Sequence, residues 1–376
     1  MAFFGANASG KTNLLKAFHV LRKLVLGDSR LSSDLDALAV LFEPNRLNPK
    51  FSETTFALEF LLDGDCFTYR LSYSASAIKE EALLKNGEAI FTILNLEPEF
   101  APKILSASYS KKKLSEILHV ECSDGQGRQT KSFLRCIGRA YPGLHSDLKK
   151  AFDFFKDKLK ITLSLGSLRL PDASMILASA LGVDRGEALR RITEVIRRLD
   201  IDIEALDISR REPASNGPME SLFSAYHWEI TSTHKDIAGN PIQFDFANHE
   251  SAGTQRLAGL VGRILSILET GGVFLVDELE CSLHPLLMRE IVLLFKKRRY
   301  NPKGAQLIFT THNTDILDDS ILRLSEIALV RKNIANGTLV RRLVDLKKEG
   351  ESIRNVTNFR NQYLAGFYSG VPHPAL

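Results

Sequence analysis

The sequence has few of the features that mark secreted, zinc-binding or membrane-embedded proteins. Its four cysteines form no Cys-x-x-Cys pair, which argues against zinc ribbons and zinc hooks. So few thiols are also typical of a protein in a reducing compartment. No stretch of about 18 apolar residues occurs, so we expect no membrane span. A glycine-rich motif starts at residue 5, so we expect no signal peptide and a cytoplasmic location.

A strong excess of charge of either sign is also missing. The chain carries 49 lysines and arginines against 45 aspartates and glutamates, a formal net charge of +4. This balance neither requires nor excludes a nucleic-acid partner. Heptads do not persist, so a long coiled-coil arm is not expected. With 376 residues, the chain is long enough for one large domain or two smaller ones.

What the sequence does contain is a complete phosphate-binding loop. The run Gly5-Ala6-Asn7-Ala8-Ser9-Gly10-Lys11-Thr12 fills every fixed position of the pattern G-x-x-x-x-G-K-[ST]. Glycines let such a loop curl so that successive N–H groups point into one anion-sized hollow. Lys11 can then reach the β- and γ-phosphates of ATP, and the Thr12 hydroxyl can bind Mg²⁺. We assign Asn13, the next residue, to the same cofactor site.

The context of the loop supports a nucleotide site over a chance glycine-rich turn. Residues 2–4 are apolar and predict a buried strand. Residues 13–26 carry apolar side chains at helical spacing and predict a helix. Because the N-terminus of a helix is itself an anion site, strand, loop and helix favour the same chemistry.

The rest of the first half changes from strands to helices. Alternating apolar residues from 55 to 94, with turns at Asp63-Gly64-Asp65 and Asn86-Gly87, predict an antiparallel meander. A meander after a phosphate-loop helix is typical of the β-lobe of an ABC-type ATPase. Residues from about 103 to 205 look mainly helical, and the polar run 212–218 predicts a linker. The predicted helices of this region are 133–140, 148–160 and 185–199.

A pair of acids follows a buried strand in the second half. Residues 273–276 are all apolar and predict a strand covered on both faces. Asp277, at its end, fits a Walker B aspartate that binds Mg²⁺, directly or through water. Glu278 comes next and suits a general base or a water-orienting residue. The alternative for two adjacent acids is a surface turn, which the apolar run before them disfavours.

Two further segments complete the predicted site. His312 follows the apolar strand 306–310, and its place after Asp277 favours a switch histidine over an ordinary buried histidine. Ser251, Gly253 and Thr254 lie at the predicted start of a helix, where a hydroxyl and backbone N–H groups can bind phosphate. By itself this short run is equally suited to a helix N-cap.

Together, these motifs resemble one bacterial family, the ABC/SMC-like AAA-type ATPases linked to restriction and abortive-infection loci. The resemblance covers nearly the whole chain and is most specific from Glu250 to His312. The matching runs are G-A-N-A-S-G-K-T, E-S-A-G-T-Q-R-L, V-F-L-V-D-E-L-E-C-S-L-H-P, Q-L-I-F-T-T-H-N and Y-L-A-G-F-Y-S-G-V-P.

The resemblance implies a homodimer that holds two ATP molecules, each between the phosphate loop of one copy and the signature Ser251–Thr254 of the other. It implies that Glu278 and His312 are catalytic, that residues 279–285 form a D-loop crossing the dimer, and that the protein acts in anti-phage defence. The implied partner is a TOPRIM-like or other nuclease or effector. No nuclease motif is visible in the chain, so we expect any cleavage to come from that partner.

The resemblance also predicts the fold class. We expect an α/β protein, an ABC-type P-loop ATPase head with an antiparallel β-lobe and a helical insert. Since only three residues separate Met1 from Gly5, we expect one or more N-terminal edge strands to be missing. We divide the chain into 1–102 (phosphate loop and β-lobe), 103–225 (helical insert) and 226–376 (signature, Walker B and switch histidine).

The sequence departs from the family pattern in places, and two alternative functions stay open. No glutamine precedes Gln126, so the usual Q-loop residue has no counterpart, and Glu280 stands where relatives often have aspartate. The first alternative is a DNA-maintenance ATPase similar to RecF and SMC proteins, which clamps DNA directly through basic residues such as 296–299. The second is a degenerate scaffold that folds normally but does not hydrolyse ATP. For the paired arginines of 190–198 we favour a solvated helix face.

Overall fold

The structure is a computed structural model of the chain. It describes residues 1–27, 34–44, 52–106, 108–140, 145–163, 185–199, 202–211, 227–333, 337–348, 351–352 and 359–367. The predicted linker 212–218 lies outside these residues. The chain divides into two compact units: unit 1 comprises residues 1–7, 162–330 and 340–376, and unit 2 comprises residues 8–161 and 331–339. The three-part division expected from the sequence stays a prediction.

Helices and strands are numbered here in chain order within the described residues. The α-helices are α1 Lys11–Leu26, α2 Asp34–Leu41, α3 Lys111–Glu121, α4 Phe133–Ala140, α5 Ser146–Asp153, α6 Arg185–Arg198, α7 Phe246–His249, α8 Ala252–Thr270, α9 Pro285–Lys296 and α10 Phe359–Leu364. The strands are β1 Ala2–Phe4, β2 Thr54–Leu62, β3 Asp65–Tyr73, β4 Ile78–Lys85, β5 Glu88–Leu94, β6 Glu97–Phe100, β7 Leu159–Thr162, β8 Ala205–Arg211, β9 His227–Lys235, β10 Pro241–Asp245, β11 Val273–Val276, β12 Gln306–Thr310, β13 Ile327–Asn333, β14 Gly337–Arg342, β15 Lys347–Lys348 and β16 Glu351–Ser352.

The centre of unit 1 is a parallel sheet with the strand order β13-β1-β12-β11. Ala2 pairs with both Phe309 and Ile327, and Leu275 pairs with Ile308. The buried residues of these strands are almost all apolar, because helices such as α8 and α9 pack against the sheet and share one core with it. The end of β13, residues 331–333, is polar and less buried. The strands predicted at 2–4, 273–276 and 306–310 are confirmed, and the protein is an α/β protein.

A second, smaller sheet of unit 1 is antiparallel, with the order β10-β9-β8. Ile208 lies opposite Ile230, and Phe244 lies opposite Ser232. Asp245 caps α7 by accepting a hydrogen bond from the Asn248 amide at 2.8 Å. This sheet and α7 lead directly into the segment that contains Ser251.

Unit 2 contains the predicted meander. Its antiparallel sheet has the order β2-β3-β4-β5-β6. The first turn places Asp63 and Gly64 in the left-handed region (φ 53° and 88°), and the turn at Asn86-Gly87 does the same, as tight hairpins require. The β-lobe is therefore confirmed as an antiparallel element, and α1 begins at the phosphate loop as expected.

One predicted helix is wrong over part of its length. Residues 148–160 do not form a single helix: α5 ends at Asp153, a π-helical turn covers Phe154–Lys158, and β7 begins at Leu159. Both Phe154 and Phe155 are buried, and each ring lies against Phe60 of β2, with centroid distances of 4.0 and 5.9 Å. The π-helical turn lies where both aromatic side chains enter the core, and it ends the helix there.

A buried carboxylate joins the β-lobe to α4. Glu81 is fully buried, and its two oxygens accept hydrogen bonds from the Phe133 and Leu134 amides at 2.6 and 3.0 Å. The Tyr69 hydroxyl and the Gln129 amide also donate to Glu81, each at 2.9 Å. Burial raises the pKa of Glu81 to about 7, because hydrogen bonds offset only part of the cost of removing a charge from water.

Candidate functional site

The phosphate loop enters α1 through an unusual backbone. Ala8 and Gly10 both have positive φ, 59° and 99°. The Gly10 carbonyl accepts the first helical hydrogen bond, from the Leu14 amide at 3.1 Å. Lys11, the first residue of α1, is buried at 6% exposure. The Ser9 hydroxyl is buried and has no hydrogen-bond partner among the described residues.

The predicted Walker B aspartate lies at the end of β11, as its sequence context indicated. Asp277 is 1% exposed, and its amide donates to the Thr162 carbonyl at 2.9 Å. Oδ1 accepts a hydrogen bond from the Thr310 hydroxyl at 2.5 Å. Oδ2 is buried and without a partner in the part of the chain that the structure describes. Buried carboxylate oxygens are rarely left unsatisfied. Oδ2 is therefore suited to accept a ligand such as a cation.

Glu278 has a strained backbone that is fixed by neighbours. Its φ is 47°, in the left-handed region that a non-glycine residue seldom adopts. Its amide donates to the Thr310 hydroxyl at 2.7 Å, and its carbonyl accepts from Arg256 Nη2 at 2.8 Å. Since Cβ direction follows the backbone, this conformation turns the Glu278 side chain away from the alternation of the preceding strand.

The main chain of His312 is held in place by Glu280. The His312 amide donates to Glu280 Oε1 at 2.6 Å, while Glu280 Oε2 is buried and unpartnered among the described residues. The imidazole itself is exposed. The Leu279 amide also donates to the Thr310 carbonyl at 3.1 Å, so the chain that follows β11 is bonded both to the last residue of β12 and to His312.

The signature residues form the start of α8. Ser251 is the N-cap, and its hydroxyl accepts from the Thr254 amide at 3.1 Å and lies 2.8 Å from the Thr254 hydroxyl. Gly253 has no room for a side chain, since a Cβ there would lie 2.6 Å from the Ser282 carbonyl oxygen. The first turn of α8 therefore packs directly on the predicted D-loop of the same chain.

Residues around Ser251 support its position. The Gln255 side-chain amide donates to the carbonyls of Ala247 and Glu250 at 2.9 and 2.8 Å. Glu250 Oε1 accepts from the Ser232 hydroxyl at 2.6 Å and lies 2.6 Å from His234 Nε2. The small sheet of unit 1 is thus linked to the residue that precedes the signature.

The structure assembles part of the predicted site. In unit 1 it links Ser251, Gly253 and Thr254 to the chain around Asp277 and Glu278 through Arg256 and Ser282, and it links that chain to His312. Gly5, Ala6 and Asn7 belong to unit 1, whereas Ala8–Thr12 and Asn13 belong to unit 2.

Sequence reasoning missed Thr310, Arg256 and Glu280 as supporting residues. A threonine at the end of a buried strand is the one local signal that marks Thr310. Arg256 and Glu280 have no such signal, because a charged side chain near a motif is common.

The donor set suits a hard cation better than a soft one. Among the described residues there is no cluster of three or more His, Cys, Asp or Glu side chains that would hold a metal by itself. A single carboxylate oxygen with an open position fits Mg²⁺, which binds proteins through one or two carboxylates and takes its other ligands from water and phosphate. Asp277 Oδ2 meets this requirement.

The family model described as "AAA domain, putative AbiEii toxin, Type IV TA system" matches residues 1–114 and 143–318. No curated protein matches the sequence. None of the described helices is both long and apolar enough to cross a membrane.

Similar solved structures include three SMC head domains. The SMC head domain from Thermotoga maritima is 15% identical over 91% of this chain and 89% of that one, with a TM-score of 0.40. The Smc head domain with an extended coiled coil, bound to the C-terminal domain of ScpA and derived from Pyrococcus furiosus, is 13% identical over 91% and 90%, with a TM-score of 0.42. The Smc head domain with a coiled coil and joint from Pyrococcus yayanosii is 12% identical over 91% and 92%, also at 0.42.

The family match takes in more than half of the chain. It includes the phosphate loop at residues 5–12 and the segment from Ser251 to His312. The protein therefore belongs to this AAA-domain family.

Proposed function

We propose that the protein binds and hydrolyses ATP, and that ATP joins two copies of the chain. The observation that carries the proposal is the buried oxygen of Asp277 that has no hydrogen-bond partner among the described residues, next to the backbone-fixed Glu278. Leaving such an oxygen unsatisfied costs about 1–3 kcal/mol or more, so its retention is best explained by a bound cation. The complete phosphate loop provides the matching anion site.

Each residue of the site has a distinct role in this proposal. Lys11, Thr12 and the backbone of residues 5–10 bind the phosphates of ATP, and Asn13 supports them. Asp277 and the Thr12 hydroxyl hold Mg²⁺, which when bound neutralises phosphate charge. Glu278 orients and deprotonates the attacking water, and His312 contacts the γ-phosphate.

The second copy completes the site. Ser251, Gly253 and Thr254 at the start of α8 contact the γ-phosphate held by the partner, as N-terminal backbone amides of a helix can do. ATP binds the joined state more tightly than the separate chains, and this difference in affinity drives association. Hydrolysis removes the shared γ-phosphate and releases the two copies.

We further propose that this dimerisation switch is the regulatory or sensor part of a bacterial anti-phage defence system. The description of the matched family, which refers to a toxin–antitoxin system, supports this role. Joining and separation of the heads would open or close a surface for a nuclease or other effector protein, TOPRIM-like or of another class.

The test is Glu278→Gln, which keeps the shape of the side chain and removes its basicity. We expect it to abolish phosphate release and to give a stable dimer by light scattering at saturating ATP and Mg²⁺. Lys11→Ala is the matched control, and it should stay monomeric because the phosphates are not bound. Glu278→Gln protein that remains monomeric, or that releases phosphate as fast as the wild type, would overturn the proposal.

Ion pairs of Lys296 and of four arginines in α6 lend support to the switch over direct DNA clamping. Lys296 donates to the Ile321 carbonyl at 2.9 Å and pairs with Glu326. Four arginines of α6 are also paired: Arg190 with Glu187, Arg191 with Glu269, Arg197 with Glu204 and Arg198 with Glu194. These pairs support the solvated-face interpretation. Duplex DNA binding that is tight at low salt and falls steeply with added salt would favour the clamp instead.

A further inference from the structure

A residue far from the phosphate loop in sequence contacts that loop in the structure. The Thr338 hydroxyl, on β14, donates a hydrogen bond to the Ser9 carbonyl at 3.3 Å. Residues 331–339 belong to unit 2, the unit that contains the loop from Ala8 onward. The loop is therefore supported by a segment distant in sequence, in addition to the strand and helix that flank it.

The same side chain fills the space beside Gly10. A Cβ added at Gly10 would lie 1.9 Å from Thr338 Oγ1, 2.9 Å from Cγ2 and 3.0 Å from Cβ. Thr338 thus occupies the position that a side chain at residue 10 would take. Gly10 is glycine for two reasons, its φ of 99° and this close approach.

The loop needs such outside support. Ala8 adopts a left-handed conformation without being glycine, and this conformation costs free energy that the surroundings must offset. Gly10, the N-cap of α1, contributes no capping side chain. A hydrogen bond to the carbonyl between these two residues limits how far the loop can relax.

We propose that Thr338 is a positioning residue of the phosphate loop. Its hydroxyl fixes the Ser9 peptide, and its methyl group restricts Gly10, so that the loop is already in its binding conformation before nucleotide arrives. A ligand that meets a preorganised site does not spend binding free energy on ordering it. The inference rests on the proposed function in one respect, namely that the loop binds the phosphates of a nucleotide.

Three substitutions of Thr338 separate the contribution of its hydroxyl from that of its methyl group. Thr338→Val keeps the shape and loses the hydroxyl, Thr338→Ser keeps the hydroxyl, and Thr338→Ala loses both. Val340→Ala, two residues along the same strand, is the matched control because Val340 is also exposed. Two quantities are measured for each variant. The first is the affinity for a fluorescent ATP analogue. The second is the amide hydrogen exchange of a peptide covering residues 5–16 in the absence of nucleotide.

We expect Thr338→Val to lower the affinity for the ATP analogue about 3- to 10-fold, which is the range expected for the loss of one partly exposed hydrogen bond. Thr338→Ser, which loses only the methyl contact with Gly10, should weaken binding less than Thr338→Val does, and Val340→Ala should stay within about twofold of wild type. Exchange of the 5–16 peptide should be faster in Thr338→Val and Thr338→Ala than in Thr338→Ser.

The two readouts distinguish failure of this inference from failure of the proposed function. If Thr338→Val matches wild type in both affinity and exchange, the positioning role is wrong. If wild type binds no nucleotide, the proposed function fails, and exchange alone still decides whether Thr338 orders the loop. An equal change in Thr338→Val and Thr338→Ser would also overturn the assignment to the hydroxyl.

Discussion

The Thr310 hydroxyl joins two consecutive acidic residues of the candidate site. It donates to Asp277 Oδ1 at 2.5 Å and accepts from the Glu278 amide at 2.7 Å. Thr310 is fully buried, so neither bond competes with water. One side chain therefore orients the carboxylate assigned to Mg²⁺ and fixes the backbone of the residue assigned to the water.

Removing this hydroxyl should impair hydrolysis more than folding. In Thr310→Val the carboxylate and the amide both lose their partner, and a hydrogen bond to a charged group is worth about 1.5–3 kcal/mol. We expect the ATP turnover rate to fall about 10- to 100-fold. Thr310→Ser, which keeps the hydroxyl, is the control and should retain most of the activity. Equal activity of the Val and Ser variants would show that the hydroxyl has no such role.

Gly253 should be required for the stability of the single folded chain, independently of any contact with a second copy. An alanine Cβ there would lie 2.6 Å from the Ser282 carbonyl oxygen, a backbone atom that can move only with its loop. Overpacking of this kind typically costs about 1–3 kcal/mol. We expect Gly253→Ala to lower the free energy of unfolding by that amount in urea denaturation.

The matched control for Gly253 is Gly125→Ala. No atom of the described residues lies within 4 Å of a Cβ added at Gly125, so the effect of this substitution should be below about 0.5 kcal/mol. If the two variants unfold with the same midpoint as wild type, the close approach of α8 to Ser282 does not constrain residue 253.

Glu280 should act on catalysis through His312. Its Oε1 holds the His312 amide at 2.6 Å, so Glu280→Ala frees the main chain that presents the imidazole. We expect kcat to fall several-fold with little change in KM. The double-mutant cycle with His312→Ala is the decisive measurement, because residues that act as one unit are not additive. A double variant slower than His312→Ala by the full effect of Glu280→Ala would mean that Glu280 acts independently.

Glu81 should make the stability of the protein depend on pH. Its pKa is raised by burial from 4.5 to about 7 in the folded protein, so the folded state binds the proton more tightly than the unfolded chain does. The contribution of protonated Glu81 to the free energy of unfolding is therefore complete at low pH and is lost as the pH rises to about 7. Above that pH, Glu81 causes no further change in the free energy of unfolding. The size of the loss is about 3 kcal/mol.

Glu81→Gln removes this titration and is the comparison to make. We expect the free energy of unfolding of wild type, relative to the Gln variant, to decrease between pH 5 and pH 8. A difference between the two proteins that stays constant over this range would contradict the assignment to Glu81.

The sequence by itself determined the elements in which the chemistry is local. Eight consecutive residues specify the phosphate loop, and the apolar run 273–276 specifies a buried strand that ends at Asp277. The turns at Asp63-Gly64 and Asn86-Gly87 marked the antiparallel meander, because left-handed backbone favours these residue types. In each case neighbours along the chain carry the physical cause, so a pattern could reveal it.

Only the tertiary structure decided what supports these elements. Thr310 lies 33 residues after Asp277, and Thr338 lies 329 residues after Ser9. Hydrogen bonds of this kind depend on which strands pair and on how loops meet at the strand ends, and neither is encoded in a local period. The end of α5 has the same origin: Phe154 and Phe155 are compatible with a helix, but packing of both rings against Phe60 favours the π turn and ends the helix at that point.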